Sequence, residues 1–123
     1  MARRYRRGFA LLALLAALFI AWGSLTPSDE LPSNLPWDKL NHFIGYGGLA
    51  GLLGLASWRL ASTLALSIGY GILMEYAQIL VPGRFGGDWA DILANSLGAL
   101  VAVSALAMLR YWLHRHRNIA DLS

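Results

Sequence analysis

Four stretches of this 123-residue chain, at 8–25, 40–57, 60–81 and 90–113, are apolar. Each comes close to the roughly 17–25 residues that a helix needs to cross a bilayer. They leave room for three connections only. The first, 26–39, contains Pro27, Pro32 and Pro36; the second is a turn at Trp58–Arg59; the third, 82–89, contains Pro82, Gly83, Gly86 and Gly87. Backbone inside hydrocarbon must satisfy its own hydrogen bonds, which selects helices for segments of this length. The expectation is an all-α membrane protein: one domain over 1–123, with four transmembrane helices in an up-down bundle. Composition agrees, because 57% of the residues are hydrophobic and 14% charged, against about 25% charged in soluble domains. The second stretch is the least apolar. Pro82 should stop the third helix, and the glycines after it should make the exit loop flexible.

Charge fixes an expected orientation. Arg3, Arg4, Arg6, Arg7, Arg59, Arg110, Arg115 and Arg117 fall on one side of a four-span arrangement; Lys39 and Arg84 fall on the other. Basic flanks stay in the cytoplasm, so both termini are expected there. Trp22, Trp37 and Trp89 then mark outer ends and Trp58 and Trp112 inner ends, where indoles favour the interface. The first stretch, with its arginines and Ala21-Trp22-Gly23, also has the pattern of a signal peptide with a small-residue cleavage site; retention as a span is the expected reading. The net charge of +3 sits at these flanks, so nucleic acid is not an expected partner. The absence of cysteine excludes disulfides and thiolate metal sites.

Small residues at four-residue spacing (Gly47/Gly51, Ser67/Gly71, Ala94/Gly98) let helices approach closely. Packing within the bundle is the expected use, with homo-oligomerisation the alternative. Gly51 is the position singled out as structurally critical.

Against this apolar background stand polar groups at one end. Glu75, three residues before Gln78, lies inside an apolar run, where a charge costs roughly 2.5–3.5 kcal/mol on insertion scales and marks a functional site by default. Asp38, His42 and Tyr46 share one helix face, and Asp88, Asp91 and Asn95 share another. By helical rise all of these lie within about 12 Å of the outer helix ends, so they can meet in one outward pocket with Glu75 as its floor. Asp38 and Asp88 also sit where helices begin, and Asp88-x-x-Asp91 has a capping-box spacing. Arg84 is a candidate partner for Glu75 or Asp88, and Tyr46 and Gln78 suit hydrogen bonding between helices. His42, Glu75, Asp88 and Asp91 could supply metal donors, but no H-e-x-x-H-type spacing is present, and neither a metal nor a cofactor is expected. No G-x-S-x-G, P-loop or cysteine nucleophile points to catalysis. A mildly acidic rim favours a cationic or amine-bearing ligand over phosphate.

The run from Asp38 to Tyr46, then Glu75-Tyr76-Ala77-Gln78, then Arg84 through Asp88-x-x-Asp91-x-x-x-Asn95-x-x-Gly98 resembles the VanZ-like family of small bacterial inner-membrane proteins. The resemblance spans roughly 37–103. It carries over Asp38, Lys39, His42, Tyr46, Glu75, Gln78, Arg84, Asp88, Asp91 and Asn95 as candidate ligand-binding residues. It implies a link to glycopeptide (teicoplanin) resistance in the founding member without supplying a mechanism. The expected function is therefore non-enzymatic: binding or shielding an envelope amphiphile such as a lipid-linked cell-wall precursor or a lipoglycopeptide. The alternatives are a metal-assisted hydrolase or transferase acting on a lipid headgroup, and a structural or assembly subunit without a ligand.

Overall fold

The computed structural model of the protein describes residues 3–31 and 38–122, which leaves Pro32, Pro36 and Trp37 outside the described residues. Among these the fold is all-helical: α1 (Arg3–Leu25), α2 (Asp38–Ser57), α3 (Leu60–Ala77) and α4 (Trp89–Ala120), with 3-10 turns at Ser28–Glu30 and Gln78–Leu80. Three helical segments, Arg3–Leu25, Leu60–Leu80 and Trp89–Ala120, are long and apolar enough to cross a membrane. Their outer faces carry Leu15, Leu18, Phe19, Leu66, Leu73, Leu100 and Val101 exposed, the inverse of a water-soluble surface. α1 and α4 extend beyond the apolar stretches into arginine-rich ends, because charge ends the apolar pattern without ending a helix.

α2 is long enough to cross but less apolar. It touches all three other helices, and only Asp38, Leu40, Ile44 and Gly48 on it are exposed. Its strongly polar residues, Asp38, Lys39, Asn41 and His42, are gathered in its first turns, where the site is built. Its closest neighbour is α4. A Cβ on Gly47 would lie 3.3 Å from the Gly98 carbonyl oxygen, and a Cβ on Gly98 would run into the carbonyl of Phe43. Gly54 is likewise closed off by Leu106, whereas Gly51 has open space around its Cβ position. The close crossing is thus Gly47 on Gly98, not the Gly47/Gly51 pair that the spacing suggests.

The interior divides by depth. Toward the arginine-rich end it is mainly apolar, built on Ala50, Leu60, Ala99, Val103 and Leu106, with Thr63 a buried polar residue among them. Toward the other end the buried residues are Tyr46, Glu75, Gln78, Asp91 and Asn95. α2 ends at Ser57, and the amide of the following Trp58 donates to the Gly54 carbonyl at 2.7 Å. α3 tightens into its 3-10 turn ahead of Pro82, which cannot continue a helix. The exit loop is pinned rather than flexible. A Cβ on Gly86 would lie 2.8 Å from the Glu75 carbonyl oxygen, and Gly87 takes φ +74° while its amide donates to that same carbonyl at 3.0 Å.

Candidate functional site

The α2 face that begins the site carries Asp38, His42 and Tyr46 one turn apart, and Lys39 stands beside it. Lys39 Nζ donates to the Asp91 carboxylate on α4, reaches Asp88 Oδ2 at 3.3 Å and lies 3.7 Å from Asp38 Oδ2. One ammonium therefore serves three carboxylates. Only Asp91 among them is buried; the side chains of Asp38 and Asp88 are 62% and 41% exposed. Lys39, one residue outside the 40–57 apolar stretch, holds its proton more tightly than a free lysine, chiefly through its bond to Asp91. Asp88 is held below the ordinary carboxylate range, above all by the Ala90 amide, with Lys39 adding to the effect.

His42 lies one turn deeper. Its Nδ1 pairs with the Asn95 side-chain amide at 2.8 Å. Nε2 is left facing Asp38 at 3.5 Å and Asp91 at 3.8 Å. Tyr46 is buried below, its ring 6.1 Å from that of Tyr70 and its hydroxyl without a hydrogen-bond partner among the described residues. Tyr70 in turn donates to the Ala17 carbonyl at 2.6 Å, tying α3 to α1.

Glu75 is 1% exposed, and its role differs from that of an open pocket floor. Its Oε1 accepts the backbone N–H of Asp88 at 2.9 Å. Asp88 is the N-cap of α4 and accepts from the Ala90 amide at 2.9 Å. The capping reading of Asp88 is therefore met, but the second half of a capping box is not. Asp91, which the spacing offers for that role, goes to Lys39, and Glu75 takes the N-cap amide from a different helix. Arg84 pairs with neither Glu75 nor Asp88; its Nη1 donates to the carbonyls of Gly23 and Thr26 at 3.0 and 3.2 Å. Those belong to the last turn and exit of α1, where carbonyls lack helical partners. Gln78 is buried beside this junction.

Metal-donor geometry is also redistributed. Ligand atoms of Asp38, His42 and Asp91 lie within 4.8 Å of one another. Of the donors the sequence suggested, His42 and Asp91 belong to this group; Glu75 and Asp88 are engaged in the loop junction. Asp38 replaces them.

A feature that sequence reasoning missed lies on the outer side of the same contact. Between α2 and α4 a groove of about 340 Å³ runs from Lys39 along Leu40 and Phe43, facing Ala90, Leu93 and Leu97. Its walls recur every three or four residues, which in sequence looks like any lipid-facing stripe. The only available signal was alanine at 90 and 94 beside the leucines at 93 and 97.

No curated protein and no solved structure matches the chain. A family model described as VanZ/LLP1 matches residues 3–111, a span that takes in α1, the whole polar cluster and most of α4. The chain belongs to the VanZ-like family.

Proposed function

We propose that the chain is a multi-pass protein of the bacterial inner membrane. Its four helices cross up and down, both termini lie in the cytoplasm, and the Lys39 cluster faces outward. In this reading it binds an envelope amphiphile, with the polar head at the Asp38–Lys39–Asp88 rim and the chain in the groove between α2 and α4. A lipid-linked cell-wall precursor or a lipoglycopeptide such as teicoplanin belongs to this class. The observation that carries the reading is the continuity of an apolar groove with a charged mouth. That mouth favours an amine-bearing head, because its most exposed groups are two carboxylates while its ammonium already has partners. Arginine-rich flanks at the opposite end support the orientation.

The test is a deletion strain challenged with glycopeptides and other envelope-active compounds, complemented by wild type or by Ala94→Phe. Ala94 lines the groove, and a phenyl ring fills it. Wild type should restore tolerance, and Ala94→Phe should not, at equal membrane abundance and melting temperature. Full protection by Ala94→Phe removes the groove from the mechanism.

A second reading is favoured by the three donor atoms of Asp38, His42 and Asp91 within 4.8 Å: a metal-assisted hydrolase or transferase on a lipid headgroup. Elemental analysis of the purified protein decides against it if no divalent metal co-purifies and chelators leave the phenotype intact.

A further inference from the structure

At the end of the bundle opposite the rim, a cavity of about 220 Å³ opens where the α2–α3 turn meets the last turns of α4. Its walls are Trp58, Arg110, Leu113, His114 and Arg117. The α4 residues 110, 114 and 117 recur at spacings of four and three and so share one helix face. Trp58 stands at φ +55°, a left-handed conformation uncommon for a bulky residue and cheapest for glycine. An indole is nonetheless kept there, its carbonyl accepting from Arg110 Nη1 at 3.2 Å. Arg6 bonds the preceding carbonyls of Ala56 and Ser57 at 2.8 and 3.0 Å. The carbonyl end of α2 is thus served by Arg6 and Arg110. Arg117 has no acidic partner among the described residues and is exposed.

We propose that this cavity binds the headgroup of an anionic membrane phospholipid, its phosphate between His114 and Arg117 and the start of its chain on Leu113. Three observations select that occupant. Eight arginines lie at this end against one acid, Asp121, so the local field attracts anions. A guanidinium offers paired N–H donors that match a phosphodiester. The 32 residues of α4 rise about 48 Å, against a hydrocarbon core of about 30 Å, which puts its last turns among headgroups. Basic pockets between helices at such an interface suit anionic lipids, and Trp58 suits the same depth. The bland alternative is a diffuse positive flank in which every arginine counts equally. The proposal does not depend on what the rim binds.

The test uses the purified full chain in detergent, titrated with fluorescent phosphatidylglycerol and with fluorescent phosphatidylcholine of the same chains. Phosphatidylglycerol should bind saturably and about tenfold more tightly, a difference of about 1.4 kcal/mol. Arg117→Gln should weaken it roughly fivefold, through loss of the paired N–H contacts of its guanidinium to the phosphate. Arg115→Gln makes the same charge change outside the cavity and should leave binding unchanged. Equal losses in the two variants, or no preference between the lipids, overturn the proposal. Displacement by free glycerol 3-phosphate at lipid concentration assigns the cavity to a soluble phosphate instead and also overturns it.

Discussion

Glu75 does for α4 what a third-position acid does in an ordinary capping box, but from a neighbouring helix: its carboxylate takes the N-cap amide of Asp88. A buried carboxylate engaged in this way is a joint between α3 and the exit loop. Glu75→Gln retains an acceptor and should lose little stability. Glu75→Leu leaves the Asp88 amide unpaired and should cost about 1–3 kcal/mol, read as a lower melting temperature in detergent; equal stability of the two variants contradicts the joint. Sequence reasoning picked out Glu75, because a charge in an apolar run is conspicuous. It did not find the partner, because main-chain amides carry no sequence signature. Arg84 repeats the lesson. Charge complementarity pointed to carboxylates, while the structure gives it the carbonyls at the end of α1. Lys39 is the opposite case: helix-face arithmetic gave it no role, the family pattern included it, and it stands at the centre of the acidic cluster.

Among the helices, α2 and α4 form the core contact, and their glycines are not equivalent. Gly98→Leu places a side chain against the Phe43 carbonyl and should destabilise by about 1–3 kcal/mol, the usual range for overpacking. Gly51→Ala, with free space at its Cβ position, should leave the melting temperature unchanged. A neutral Gly98→Leu would disprove the crossing described for α2 and α4. The four helices and their approximate limits were readable from apolar length. Which glycine meets which neighbour was not, because a spacing motif marks a face and says nothing about the rotation of that face toward a partner. The same limit hid the α2–α4 groove, whose walls are apolar residues that a lipid-facing helix carries anyway.

For the molecule as a whole, the absence of cysteine gives a clean background for testing the proposed topology. In intact cells a cysteine placed at Ser28 should react with a membrane-impermeant maleimide, and one at Asn118 should react only after permeabilisation. The reverse pattern, or equal labelling, refutes a bundle with its rim outside and its termini inside. The two ends also differ in construction. One is a charge cluster beside an anchored loop; the other has Arg6 and Arg110 hydrogen-bonded to the carbonyls of Ala56, Ser57 and Trp58. The modest apolarity of α2 has a further consequence for biogenesis. In the proposed topology α2 gains little from lipid alone, and its closest packing partner is α4, which is synthesised after α3. In that topology a nascent chain stalled after α3 should hold α2 less firmly in the bilayer than a chain that includes α4.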